Sequence, residues 1–131
     1  MKHQKPAHMN PVQRAILRQR WSSKSVMGQI HALTGQDCDK LLAYGSVLFF
    51  VASACGMHLN WTGDEPDMRI LRASVNALDE LAQRKQITEV DRGSLMAGMM
   101  AAQRIIEVTP IEVVTDAAQL YDEHSKAWGK S

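Results

Sequence analysis

Two cysteines carry the most nucleophilic side chains of this 131-residue chain, and their surroundings argue against thiol chemistry. Cys38 follows Asp37, a good helix N-cap, and a helix N-terminus can lower the pKa of a thiol, although Asp37 and Asp39 oppose that effect. Cys55 lies in an apolar run, where cysteine usually packs as a small buried residue. On one helix the two thiols would lie about 25 Å apart, too far for a disulfide. We therefore expect no catalytic cysteine.

The other titratable residues form no recognised catalytic or metal-binding pattern. No histidine has a second His, Cys or carboxylate at the spacing of a zinc motif. Asp64, Glu65 and Asp67 are clustered, but they surround a predicted helix start, where acids interact favourably with the helix dipole. A Gly-rich phosphate loop and a nucleophile elbow are also missing. The sequence therefore predicts a protein that is not an enzyme and that uses no metal or cofactor.

A basic and aromatic patch is the first candidate for macromolecular binding. Arg14, Arg18 and Trp21 repeat at intervals of four and three, so they share one helical face, and Lys24 lies close by. Guanidinium and indole groups together can bind phosphate and stack on a base. Two interpretations stay open: a nucleic-acid-binding face over residues 10–24, or a solvated basic face with Trp21 packed against the body. We favour the second.

Flexible and aromatic apolar side chains supply the other candidate contacts. Met96 and Met100 lie in a methionine-rich segment, and such side chains suit an adaptable binding surface as well as a core. Trp61 lies in a polar loop, where an exposed aromatic residue is a candidate hot spot. The predicted partner-binding residues are thus Arg14, Arg18, Trp21, Lys24, Trp61, Met96 and Met100.

Start and stop signals divide the chain into five helices with short connections. Helix starts are predicted at Asn10, Asp37, Glu65, Thr88 and Thr109 from N-cap residues, prolines and capping-box partners. For the last start, Glu112 is the expected capping-box partner, with Val108 and Val113 as a hydrophobic staple. No segment alternates with period two, so the predicted fold is an all-α bundle of about five helices.

Apolar periodicity predicts the inward faces of the helices. The first helix would end at Thr34-Gly35, with Trp21-Ser22-Ser23 as a candidate bend. The predicted inward residues of the third, fourth and fifth helices are Met68, Leu71, Val75 and Leu78; Leu95, Met99, Ala102 and Ile106; and Val114, Ala117, Tyr121, His124 and Trp128.

The second helix is the most apolar element. Leu41 to Met57 contains no charged residue and covers roughly 25 Å of a hydrocarbon core about 30 Å thick, the lower limit for a membrane span. A helix that is apolar all round also suits the centre of a soluble bundle. We interpret residues 38–57 as the central helix; a small membrane-anchored protein is the alternative.

Composition predicts one globular domain without a targeting signal. Apolar residues are 45% and charged residues 22%, and the net charge is +1, so an intrinsically disordered chain and a polycation are excluded. Seven of the 15 Lys/Arg residues lie in residues 1–40, beside two acids, so the first third is basic and the remainder acidic. We expect a basic tail over 1–9, a single helical domain over 10–131, and a cytoplasmic location.

The middle half of the chain resembles a class of small bacterial proteins. The segments that carry the resemblance are Asp67-Met68-Arg69-Ile70-Leu71-Arg72, Asn76-Ala77-Leu78, Arg92-Gly93-Ser94-Leu95 and Ala101-Ala102-Gln103-Arg104. They are similar to short helical accessory proteins of bacterial prophages and mobile elements, for which no residue roles can be transferred. The resemblance implies a protein that binds and modulates a host protein. A non-catalytic role with a protein partner is therefore expected, with nucleic acid as the alternative partner and a homodimer as an open option.

Overall fold

The structure, a computed structural model, describes residues 9–35 and 37–129, with side chains as far as residue 125. Within these ranges the chain forms five α-helices and no strand: α1 Pro11–Thr34, α2 Cys38–His58, α3 Pro66–Arg84, α4 Glu89–Glu107 and α5 Ile111–Gly129. The predicted all-α bundle is confirmed. Residues 1–8 of the predicted tail and the side chain of Trp128 lie outside the described residues.

Local hydrogen bonds begin α1, α2 and α4 at the predicted positions. The Asn10 side chain accepts from the Gln13 amide at 2.8 Å, and the Gln13 side chain accepts from the Asn10 amide at 3.0 Å. Thr88 and Asp91 form a second capping box, and Asp37 caps α2 with its carboxylate. Each of these bonds joins atoms three residues apart, which is why the sequence alone predicts them.

The end of α1 also matches its prediction, whereas the bend does not form. Gly35 adopts a left-handed conformation with φ 62°, and its amide donates to the His31 carbonyl at 2.8 Å. The left-handed φ favours glycine at this position, and a Cβ there would also displace the guanidinium group of Arg92. The candidate bend at residues 21–23 was wrong, because α1 continues through it as one helix of 24 residues.

The predicted capping box of α5 is replaced by a different bond. The Thr109 hydroxyl donates to the Ile105 carbonyl at 2.7 Å, so it closes α4 and does not cap α5. Thr109 is fully buried, and α5 begins at Ile111 after Pro110. Val108, the expected staple residue, is largely exposed. Because Thr109 is buried in the core, its hydroxyl donates to the carbonyl of Ile105, four residues earlier, and does not cap the helix that follows.

Helix α2 is the structural centre, since it packs against each of the other four helices. Leu41, Leu48, Val51 and Cys55 are fully buried along it. By length and composition α2 is the one helix in the described part of the chain that is apolar enough to cross a membrane, and 44% of its most apolar window is buried. Its central position is the one that the sequence predicts; the location of the protein stays a prediction.

The predicted inward faces hold best for α4. All four of its predicted residues are buried, while α3 buries Leu71 and Leu78 and leaves Met68 and Val75 half-buried. Helix α5 buries Val114 and Ala117 but leaves His124 exposed. Helices α3 and α4 are the most closely associated pair, because Gly98 lets the Ser74 hydroxyl lie 2.8 Å from the Ser94 carbonyl across the interface.

Candidate protein-docking surface

The predicted basic face of α1 is turned toward the body of the protein. Arg14 Nε donates to Glu112 Oε2 of α5 at 2.8 Å, and Trp21 is only 7% exposed. The two terminal nitrogens of the Arg18 guanidinium donate to the carbonyls of Ile106, Glu107 and Thr109, at 3.1, 3.3 and 2.7 Å. These side chains thus anchor α1 to the end of α4 and the start of α5.

This anchoring changes what the basic residues can bind. Hydrogen bonds from its own amide and from the Arg14 guanidinium hold the pKa of Glu112 below its ordinary value, which favours the carboxylate form that accepts from Arg14. Lys24 lies 5.1 Å above the Trp21 ring, whose other surroundings are protein. The structure therefore matches the interpretation in which Trp21 packs against the body, and its ring is not open for a base to stack on.

Trp61 is half-buried in a well-ordered loop between α2 and α3. Its amide donates to the Gly56 carbonyl at 3.0 Å, and its side chain packs against the core. Glu65 accepts from the amides of Thr62 and Gly63 at 2.9 Å each, and the Thr62 bond is the main reason why its pKa is lowered. The Glu65 carboxylate is therefore bound by the loop itself, and Trp61 presents only part of its ring.

The two predicted methionines of α4 differ in exposure. Met96 is half-buried and lines a groove of about 380 Å³ with Leu33, Glu89, Arg92 and Gly93, between the end of α1 and the start of α4. Met100 is 44% exposed. Met100 is thus the most exposed of the predicted apolar contact residues, and Met96 contributes the wall of a shallow groove.

The most extensive apolar surface lies on α1 and was missed by the sequence analysis. It consists of the outward residues Val12, Ile16, Gln19, Ser23, Val26, Ile30 and Leu33, which we call the α1 ridge. Its five apolar members are between 44% and 66% exposed, and Met27 beside them is 42% exposed. Successive members are separated by alternating steps of four and three, the spacing of a coiled-coil seam.

The inward face of α1 is less hydrophobic than the ridge. Its buried residues are Trp21, Ser25, Gly28 and Ala32. Three of them are small, and a Cβ at Gly28 would lie 3.1 Å from Met99 Sδ, so this face permits close packing on α4 and α2. An ordinary surface helix buries its apolar stripe and exposes its polar one. Helix α1 departs from this pattern, because five apolar ridge residues are exposed while Ser25 and Gly28 are buried, which indicates a surface available to a partner.

The four–three spacing was the signal that would have revealed the ridge. The binding residues predicted on α1 were the arginines, Trp21 and Lys24 on one side of the helix, and the apolar residues on the opposite side were not among them. Because successive residues rotate by about 100° around a helix, the ridge lies diametrically opposite the buried set. A search for heptads in both faces would have found five apolar residues in the seven seam positions.

The described residues with reactive or metal-ligating side chains are not assembled into a site. Burial raises the pKa of Cys55, and burial followed by the charge of Asp39 raises that of Cys38, so neither thiol is activated. Asp67 forms a bidentate ion pair with Arg104 at 2.7 Å. Among the residues described, no group of three or more His, Cys, Asp or Glu side chains is placed to hold a metal ion.

Comparison of the chain with protein-family models, with curated proteins and with solved structures finds no match in any of the three. The surface of this molecule is therefore the basis for assigning it a function.

Proposed function

We propose that this protein acts without catalysis, by binding another protein, and that the α1 ridge is its contact surface. The supporting observation is the concentration of exposed apolar side chains on one helix. Six of the eleven large hydrophobic residues exposed in the described part of the chain lie on α1. Exposed apolar patches of this extent mark protein or membrane contacts more often than free surface.

The shape of the ridge favours a helix as the bound element. Its seven positions extend over about 32 Å at a rise of roughly 1.5 Å per residue, and steps of four and three follow a second helix packed alongside. Arg18 and Trp21 lie on the opposite side of α1 from the ridge and attach the helix to the body of the protein. Arg20 and Lys24 lie on one flank, and Met100 of α4 lies outside the ridge as an additional exposed apolar contact.

A second, independent reason to propose a protein-binding function is the resemblance of the middle of the chain to bacterial accessory proteins. On that resemblance the bound protein would belong to the bacterial host, and binding would alter its activity. The proposal that the bound element is a protein does not depend on this, since it rests on the ridge.

A photo-reactive residue at Val26 tests the proposal in the native cells. We expect the full-length protein to form covalent adducts with a protein, and the adducts to disappear when Ile16 and Ile30 are both replaced by glutamate. The control is Val90→Glu, a position that is 77% exposed and lies on α4, outside the ridge. Unchanged circular dichroism would establish that both variants are folded.

The absence of any protein adduct from the Val26 probe would refute the proposal. Adducts that persist in the Ile16→Glu/Ile30→Glu variant would also refute it, because the captured protein would then be held by another surface.

A further inference from the structure

We propose that the helix bound by the α1 ridge is α1 of a second copy of this chain, in parallel orientation and in register. This inference rests on the proposed function, because it names the protein that the ridge binds. It is argued from the pattern of polar and apolar residues along the ridge, from the charges beside it and from its area.

Parallel pairing in register matches every ridge residue with its own counterpart. Ile16, Val26, Ile30 and the other apolar members then form apolar layers, and Gln19 meets the Gln19 of the second copy. A glutamine side chain both donates and accepts, so such a pair satisfies itself.

In the antiparallel register that keeps Leu33 in the seam, opposite Ile16, Gln19 would face Ile30 and lose its hydrogen-bond partners on burial. The antiparallel register that places Gln19 opposite Ser23 leaves Leu33 without a ridge partner. The parallel arrangement therefore keeps all seven ridge positions in the seam and pairs each polar residue with its own type.

The types of the apolar residues agree with this arrangement. In heptad notation Ile16, Ser23 and Ile30 occupy the a positions, and Val12, Gln19, Val26 and Leu33 occupy the d positions. Isoleucine at a with leucine at d favours parallel two-stranded coiled coils; the ridge has isoleucine at two of three a positions and leucine at one of four d positions. Polar seam positions, here Gln19 and Ser23, commonly specify register.

Charge does not oppose the pairing, although α1 carries four Lys/Arg side chains and no acid. Arg14 is paired with Glu112, and Arg18 is bound by carbonyls on the opposite side of the helix. Residues that flank a parallel seam meet as Ala15 with Arg20, Ser22 with Met27 and Gln29 with Thr34 of the second copy. No cation faces a cation across the contact.

The area and position of the ridge suit a reversible dimer. The five apolar ridge residues and Met27 are each about half exposed, so they present on the order of 500 Å² per copy and roughly 1,000 Å² in the dimer, the lower limit of a specific interface. The ridge lies opposite the face that packs on α2 and α4, so the two bodies would lie on opposite sides of the paired helices. We expect a dimer that dissociates on dilution.

Sedimentation velocity of the full chain over a range of concentrations tests the association. We expect dimer for the wild type and for Val90→Glu, and monomer with unchanged circular dichroism for Ile30→Glu. A second test needs no disruptive change: Leu33→Cys in a Cys38→Ser background should form a disulfide-linked dimer on air oxidation, whereas Val90→Cys in the same background should not.

The disulfide reports the orientation. The two Leu33 positions are adjacent in the parallel register, whereas in the antiparallel one they would lie about 25 Å apart, far beyond the reach of a disulfide. A ridge-dependent dimer that gives no Leu33→Cys disulfide would overturn the parallel arrangement.

A wild-type protein that stays monomeric, or a dimer unaffected by Ile30→Glu, would overturn the inference. If the protein is monomeric and the Val26 probe still captures a host protein in a ridge-dependent way, the proposed function stands and only the second copy is refuted. If neither association is found, both fail.

Discussion

Replacing Gly98 with alanine should weaken the contact between α3 and α4. A Cβ at this position would overlap the Cβ and Oγ atoms of Ser74 and lie 3.0 Å from Cζ of Phe49. Ser74 cannot move away freely, because its hydroxyl lies 2.8 Å from the carbonyl oxygens of both Ile70 and Ser94. The two helices would have to separate, or the hydroxyl would lose its buried acceptors.

The magnitude follows from two opposing effects. Overpacking of a tight contact costs about 1–3 kcal/mol, and alanine in a helix interior gains about 0.5–1 kcal/mol over glycine. We therefore expect Gly98→Ala to lower the free energy of unfolding by about 1–2 kcal/mol. Gly93→Ala is the matched control on the same helix, since no atom lies within 4 Å of its added Cβ. It should raise the free energy of unfolding by about 0.5–1 kcal/mol.

Urea denaturation followed by circular dichroism measures both variants. The two midpoints should move in opposite directions, with similar slopes. Adding Ser74→Gly to Gly98→Ala should recover part of the loss, because it removes the overlapping atoms. A Gly98→Ala protein as stable as Gly93→Ala would show that α3 and α4 do not approach as closely as described.

Two further predictions concern polar anchors. Arg18→Met keeps the apolar stem but removes the hydrogen-bond donors from three carbonyls, so it should lower the free energy of unfolding by about 2 kcal/mol in urea denaturation. The control Arg20→Met, on the exposed flank, should change it by less than about 0.5 kcal/mol. Equal effects of the two substitutions would contradict the role of Arg18 in anchoring α1. Asp91 is buried, which by itself raises its pKa, but bonds from Thr88 and the charge of Arg84 outweigh burial and lower the pKa below its ordinary value. Its contribution to stability is therefore complete above the unfolded pKa and is lost as the pH falls through the lower folded value. Asp91→Asn should flatten the fall in stability on acidification below the ordinary pKa of an aspartate; an unchanged pH profile would refute this.

Local chemistry explains which features were predictable from the sequence. The starts of α1, α2 and α4 and the left-handed end at Gly35 depend on atoms within four residues of each other, so residue types suffice to predict them. The central position of α2 followed from its apolar character on all sides. Thr109 shows the limit: it has the right neighbours for an N-cap, yet burial beside Ile105 gave its hydroxyl a different acceptor.

The direction that α1 faces depended on the tertiary structure. Periodicity establishes that Arg14, Arg18 and Trp21 share one side of the helix and that the ridge shares the other, but it does not say which side meets the body. That choice is made by residues almost a hundred positions away in the chain, where Glu112 and the carbonyls at the end of α4 accept the arginines. Close packing at Gly28 fixes the helix in this orientation. The apolar ridge is exposed because Trp21, Gly28 and Ala32 pack on the body and distant polar groups bind the arginines beside them, and neither set of contacts can be read from the periodicity of α1 alone.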